Sequence, residues 1–343
     1  MPRTAKVKQD KETEDKTIEE TDSTKNKPKF VPTGININKL VKSVQGRYAK
    51  SKKDKDHSTD ISTGSEIKVF SDDEDFVLSE DLRKWWQPLT GIKGCPFGRI
   101  VQIAGKPDSG KSTTAMLFMK AAQEAGYLVI LWDAEKKFST KRYDNNIGGD
   151  SSSLLITRNK SVIEGAKQVH WYINDAKSQN PDVKILVVWD SVGATLNTTE
   201  DIDDDKQDYS TQPGVTAKQV SWAIRKFNAL AERYKNAKNG RETISILCVN
   251  QIYQLIGSPG SKEKGGEELY YLSSLILQLT RKSDLIRQRN KQKVKYGIVS
   301  RAKVRKNHLF DGDDCIAELE LVVSANGIEL KDEISDEFLE EDM

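Results

Sequence analysis

Eight residues, Gly105-Lys106-Pro107-Asp108-Ser109-Gly110-Lys111-Ser112, match the pattern G-x4-G-K-[ST]. A β-rich run, RIVQIAG over 99–105, leads into them. A helix-period stretch with Thr114, Leu117, Phe118 and Ala121 on one side leads out. Glycines let consecutive backbone N–H groups turn inward around phosphate oxygens, and the helix N-terminus adds a favourable partial charge. Lys111 then reaches the β- and γ-phosphates, and the Ser112 hydroxyl is placed for Mg²⁺. A strand that ends in such a loop and a helix that starts from it are the first half of a parallel crossover unit. The loop therefore restricts the chain to an α/β fold as well as to phosphate chemistry.

The rest of the chain repeats that alternation. Short β-rich runs at 128–132, 154–157, 185–189 and 244–249 are separated by helical or turn-rich segments, which predicts a largely parallel sheet with crossover helices. Further runs at 275–280, 296–304 and 317–324 have shorter connections, and Asn326-Gly327 signals a hairpin between 319–324 and 328–330. Residues 1–34 are poor in apolar side chains and read as a disordered tail. Ile37, Leu40, Val41, Val44 and Tyr48 recur at helical spacing, giving an amphipathic helix within 35–50. A polar linker at 51–75 follows, then a folded core over 76–330 and an acidic tail at 331–343. The helix can dock on its own domain or on a neighbouring subunit.

Composition narrows the class. The chain has 343 residues, with 54 Lys and Arg against 52 Asp and Glu. That balance is patchy and does not exclude nucleic acid. No apolar run approaches the roughly 18 residues of a membrane span, and the N-terminus has no apolar signal region. Three dispersed cysteines suit a reducing cytoplasm.

Two strand ends add carboxylates. The run 185–189 ends in Asp190, which suits a Mg²⁺ contact, so Ser112 and Asp190 form the expected metal pair. The run 128–132 ends in Asp133-Ala134-Glu135, where a carboxylate can orient or activate a water. Asp133 is equally suited to capping a turn. No [NT]-K-x-D guanine motif is present, which disfavours a GTPase.

In order, GRIVQIAGKPDSGKS, WDAE, VVWDSVGA, CVNQI, a Gly-Gly loop and KVRKN resemble the RecA family over about residues 85–330. The likeness is to bacterial RecA and to phage recombinases of the UvsX kind. It implies an α/β, P-loop RecA-like core with a mixed, mainly parallel central sheet flanked by helices, binding ATP and Mg²⁺. Gly105, Asp108, Ser109, Gly110, Lys111, Ser112, Thr113 and Asp190 would then cradle the nucleotide. Glu135 matches the glutamate that activates water, and Gln251 the glutamine that senses the γ-phosphate. Tyr143 is the nearest match to the adenine-stacking tyrosine. Lys306-Asn307-His308 matches the basic stretch that a neighbouring subunit contributes, with His308 in place of a lysine.

The resemblance also assigns DNA contacts. Over 215–236, Val220, Ala223, Ile224, Phe227, Leu230, Ala231 and Tyr234 fall within about 120° of arc. Lys218, Ser221 and Arg225 occupy the opposite face, and with Gly214 match DNA-contacting positions of the family. In the second loop, Tyr253, Ile256, Gly265 and Gly266 are the corresponding positions, Ile256 as a wedge between bases. Six acids within 200–208 are expected to point away from the strand path, and the eleven cations over 281–306 towards a second duplex. The family further implies single- and double-stranded DNA as partners, a homo-oligomeric helical filament joined through the 35–50 helix, and a single-strand-binding or loading protein. The chain ends soon after the core, which leans towards a phage version working in the host cytoplasm. The alternatives are a ring-forming motor of helicase type and a DNA-binding accessory protein that uses ATP only to assemble.

Overall fold

The computed structural model describes residues 30, 32, 34–51, 76–196, 213–238, 240–254, 261–263, 267–289, 291–309 and 315–331. In chain order, the strands are β1 (Phe76–Val77), β2 (Gly94–Cys95), β3 (Ile100–Gly105), β4 (Leu128–Asp133), β5 (Leu154–Thr157), β6 (Ile185–Asp190), β7 (Ile244–Gln254), β8 (Ser261–Glu263), β9 (Ser273–Arg289), β10 (Gln292–Asn307), β11 (Glu318–Ser324) and β12 (Ile328–Leu330). The helices are α1 (Ile37–Ser51), α2 (Glu80–Thr90), α3 (Lys111–Glu124), α4 (Thr140–Arg142), α5 (Val162–Gln179), α6 (Pro213–Arg233) and α7 (Glu267–Leu272).

The main sheet runs β12-β11-β10-β9-β3-β7-β6-β4-β5, with β8 attached to β7. The six strands from β9 to β5 are mutually parallel, and β10, β11 and β12 close one side antiparallel. Every residue of β3 and β4 is buried, as a parallel sheet covered on both faces requires. Alternate side chains divide into two cores. Val101, Ile103, Val129, Leu131, Val188 and Leu247 pack towards α2 and α3. Ile100, Ile130, Trp132, Val187, Trp189 and Ile246 pack towards α1, α5 and α6. Both cations and apolar groups lie along β9 and β10, which pair with each other well past the last contact of β9 with β3, so the strand at 275–280 runs on to Arg289.

The stripe Ile37, Leu40, Val41 and Val44 is buried against α5 of the same chain. The Asn36 carboxamide caps α1 by accepting from the Lys39 N–H at 2.8 Å, and Arg47 pairs with Asp175 at 2.7 Å. In this chain, the apolar face expected to seek a neighbouring subunit is thus filled in cis, because α5 offers it Val169, Ile173 and Ala176. The hairpin at Asn326-Gly327 forms between β11 and β12. No helix among the described residues is long and apolar enough to cross a membrane.

Trp132 and Trp189, neighbours on β4 and β6, stack with centroids 4.2 Å apart, and Phe227 of α6 meets both edge-on. Gly165 of α5 lets the helix backbone rest on this pair, since a Cβ there would lie 2.1 Å from the Trp132 ring. Neither the ring nor the backbone can retreat from a packed core. The substitution G165A is expected to cost about 1–3 kcal/mol by overpacking. It is read as a lower urea midpoint at unchanged m-value, and an unmoved midpoint would contradict the packing described.

Candidate functional site

The parallel register brings four sequence-distant groups to the carboxyl edge of the sheet, with Gly105 and Gln251 two residues beyond the level of Asp133 and Asp190. Gly105 pairs with Gln251 across β3 and β7, and Asp133 with Asp190 across β4 and β6. Gly105 passes so close to β9 that a Cβ would meet the Leu279 carbonyl at 2.4 Å and the Ser109 hydroxyl at 2.6 Å. The loop then turns through Asp108 (φ 55°) and Gly110 (φ 94°) into α3. Buried Ser300 of β10 donates to the Ser109 carbonyl at 3.0 Å, and the Ser109 hydroxyl to the Lys106 carbonyl at 2.9 Å. The loop is therefore set by its own strand and by the neighbouring hairpin.

A cavity of about 280 Å³ opens over this loop. Asp108, Ser109, Gly110, Lys111, Ser112, Thr113, Glu135 and Asp190 line it, together with Met116, Met119, Leu131, Asp133, Lys137, Phe138 and Arg142. The buried Lys111 ammonium donates to the Lys106 carbonyl at 2.5 Å. Burial lowers its pKa, against the opposing pull of Asp190, Glu135 and Asp108. Burial also pushes the Asp190 carboxyl up to about 6, with Glu135 and Asp133 adding repulsion and a hydrogen bond from Ser112 acting against it. A half-buried carboxylate hydrogen-bonded by a hydroxyl, both on the rim of a phosphate loop, is a hard oxygen pair that fits Mg²⁺, which keeps few protein ligands and shares phosphate oxygens.

Glu135 is the most connected group. Its Oε1 accepts from the Ser191 hydroxyl at 2.6 Å and from the Gln251 amide at 2.7 Å, and its Oε2 lies 2.7 Å from the Lys137 ammonium. Burial opposes its charge, but the hydrogen bonds from Lys137, Ser191 and Gln251 outweigh this and hold the carboxyl below its usual range. The Gln251 carbonyl oxygen in turn accepts from the Tyr253 hydroxyl at 2.5 Å. Gln251 thus bridges the cavity to the end of β7. Asp133 takes the capping role, its carboxylate accepting from the Lys137 and Phe138 N–H groups at 3.0 and 3.2 Å.

Tyr143 does not line the cavity. It is fully buried, its hydroxyl donates to Gln123 at 2.7 Å, and its ring closes over Gly149, where a Cβ would come within 2.3 Å. The adenine-stacking assignment is therefore corrected: Tyr143, the first residue of a π turn over Tyr143–Ile147, is packed in the core and bonded to Gln123 rather than facing the cavity. The preceding Phe138 and Arg142 face the cavity instead. The Arg142 guanidinium donates to the Thr113 hydroxyl at 2.8 Å and the Ser324 carbonyl at 3.2 Å. Lys306 and His308 also stand apart from it. They lie at the far end of β10, level with Ile276 and Ser274, whereas Gly105 is level with Leu279. The Lys306 ammonium is held there by the Tyr270 and Tyr271 carbonyls at 2.8 and 2.9 Å.

On α6, Val220, Ala223, Ile224, Phe227 and Leu230 are buried, while Lys218 and Arg225 are exposed and Ser221 is half-buried between them. Gly214 lies in the first turn of α6, and Tyr253 is exposed. Arg225 is already engaged, its guanidinium forming a bidentate pair with Glu268 of α7 at 2.7 and 2.9 Å. Ile256, Gly265, Gly266 and the acidic run at 200–208 lie outside the described residues. Sequence reasoning missed Lys137, Ser191, Arg142 and Glu268. Lys137 and Ser191 each lie within two residues of a recognised strand-end carboxylate, which was a usable signal. Arg142 and Glu268 act across the fold and carried none.

The model of the RecA N-terminal domain family matches residues 86–328. Among curated relatives, the chain is 32% identical to Protein RecA of Mesoplasma florum over 212 residues, covering 60% of this chain and 58% of that protein. It is 30% identical to Protein RecA of Ureaplasma parvum over 230 residues (64% and 60%) and 31% identical to Protein RecA of Agrobacterium fabrum over 222 residues (64% and 55%). The chain spans roughly 55–60% of the length of these relatives. With a family match running from α2 to β12, and with phosphate loop, strand-end glutamate, strand-end aspartate and glutamine gathered at one sheet edge, this chain belongs to the RecA family.

Proposed function

We propose that this protein is an ATP-dependent DNA recombinase that forms a helical filament on single-stranded DNA and exchanges strands with a homologous duplex. The observation that carries the reading is the hydrogen-bonded chain Lys137–Glu135–Gln251–Tyr253, which joins the phosphate cavity to the end of β7, beside the second DNA loop. The loop N–H groups and Lys111 bind the phosphates of ATP, and Ser112 and Asp190 would hold Mg²⁺, which would supply neutralisation of phosphate charge. Glu135, kept ionised by its donors, accepts a proton from a water whose oxygen bonds to the γ-phosphorus. The bond from the γ-phosphorus to the bridging oxygen breaks, and its electron pair leaves with ADP. Gln251 exchanges its contact with Glu135 for one with the γ-phosphate and carries the change through Tyr253 to the DNA loops.

Lys218, Ser221 and Arg225 grip the phosphate backbone, and base identity is tested by pairing between strands rather than by side chains. Lys306 and His308, remote from the cavity of their own chain, face that of a neighbour in the filament. Exchange of α1 between copies, across the linker at 51–75, would join successive subunits using the same apolar stripe that α5 covers in cis.

Four outcomes test this reading. K111A is expected to abolish nucleotide binding and ATP-dependent filaments, observed by calorimetry and electron microscopy. E135Q is expected to keep ATP and DNA binding while lowering turnover by about 100-fold or more. Joint molecules between circular single strands and homologous linear duplex should require ATP. Turnover stimulated by single strands without joint molecules would instead favour a motor. Because a DNA phosphate must displace Glu268 from Arg225, E268Q should tighten single-strand binding about three- to tenfold at low salt, with the gain fading as salt rises. Fluorescence anisotropy reads this, and an unchanged affinity would remove Arg225 from the DNA path.

A further inference from the structure

The turn after β4 aims one lysine at the reacting end of the cavity. The Asp133 carboxylate binds the Lys137 and Phe138 N–H groups, and Lys136 takes a left-handed conformation (φ 56°). Together they fix where the Lys137 stem leaves the backbone. Its ammonium reaches 2.7 Å from Glu135 Oε2 on the cavity wall, yet 79% of the side chain is exposed, so it is free to swing. Asp190 and Asp108 add to the negative field that favours its charge. Lys111, by contrast, is buried and bound to the loop itself.

We propose that Lys137 is a same-chain contact for the γ-phosphate and exchanges Glu135 for it when a nucleoside triphosphate binds. This rests on the nucleotide reading of the cavity. A terminal phosphate carries more charge than one carboxylate and three strong acceptor oxygens, so it outcompetes Glu135 for a mobile ammonium one hydrogen bond away. The exchange removes a second donor from Glu135, after that of Gln251, as the γ-phosphate arrives, leaving an oxygen free to take the proton of the attacking water while Ser191 still donates. A diphosphate ends short of this position and leaves the Lys137–Glu135 pair intact. Lys137 thereby distinguishes ATP from ADP, whereas Lys111 binds both.

The test compares the intact chain with K137M, K137R and K111A. Each is titrated calorimetrically in Mg²⁺ with ADP and with the β,γ-imido analogue of ATP. K137M is expected to weaken the triphosphate analogue about tenfold while ADP stays within about twofold. K137R should restore most of the difference, and the KM for ATP should rise in K137M in step with the analogue's Kd. Equal weakening of both nucleotides would mark a structural role and overturn the proposal, as would unchanged analogue binding. K111A separates the two levels of the argument. Loss of both nucleotides there, with no selective effect in K137M, overturns only the lysine assignment. Undiminished binding in K111A overturns the nucleotide reading and the lysine assignment with it.

Discussion

The site depends on the parallel register of β3, β7, β6 and β4. In a parallel sheet all strands end on the same edge, so groups placed at or near the strand ends converge without any local sequence contact. Gly105, Gln251, Asp190 and Asp133 meet this way, from segments more than a hundred residues apart at the extremes. A one-residue slip would turn each side chain to the opposite face of the sheet. The two cores oppose such a slip, because β4 and β6 each send alternate residues into different apolar layers, and Trp132 on Trp189 would be lost.

Given that register, charge decides what the edge can do. Asp190, Glu135, Asp133 and Asp108 crowd one cavity, and only Lys111, Lys137 and Arg142 offset them within its lining. Burial pushes Asp190 up to about 6, so a cation beside it relieves a cost already present in the fold. Glu135 escapes the same fate because three donors converge on its two oxygens. Neighbouring carboxylates thus differ in readiness to bind a proton, and the difference comes from their donors rather than from residue type.

The exposed face of α6 shows the opposite economy. α6 buries an apolar face deeply and leaves Lys218 and Arg225 outside, but Arg225 is tied to Glu268, which follows the Gly-Gly loop. An exposed bidentate pair contributes little to stability, yet its two parallel hydrogen bonds order the guanidinium. Gln251 and Tyr253 both lie on β7, where Gln251 donates to Glu135 and accepts from Tyr253.

Much of this was legible in the linear chain. The G-x4-G-K-[ST] loop, the strand-end Asp190 and Glu135, and the alternating β-rich and helical runs identified the α/β class, because each signal is local. Backbone geometry around a phosphate and the burial of a parallel strand are written in consecutive residues. Tertiary structure alone decided which residues of the Phe138–Tyr143 stretch face the cavity, since Gln123 and Gly149 hold Tyr143 in the core and leave Phe138 and Arg142 at the lining. It also decided that α1 lies on α5, that Arg225 meets Glu268 forty-three residues away, and that Lys137 reaches Glu135. These pairings depend on where long-range packing leaves a side chain in space, and no periodicity or spacing along the chain encodes that position.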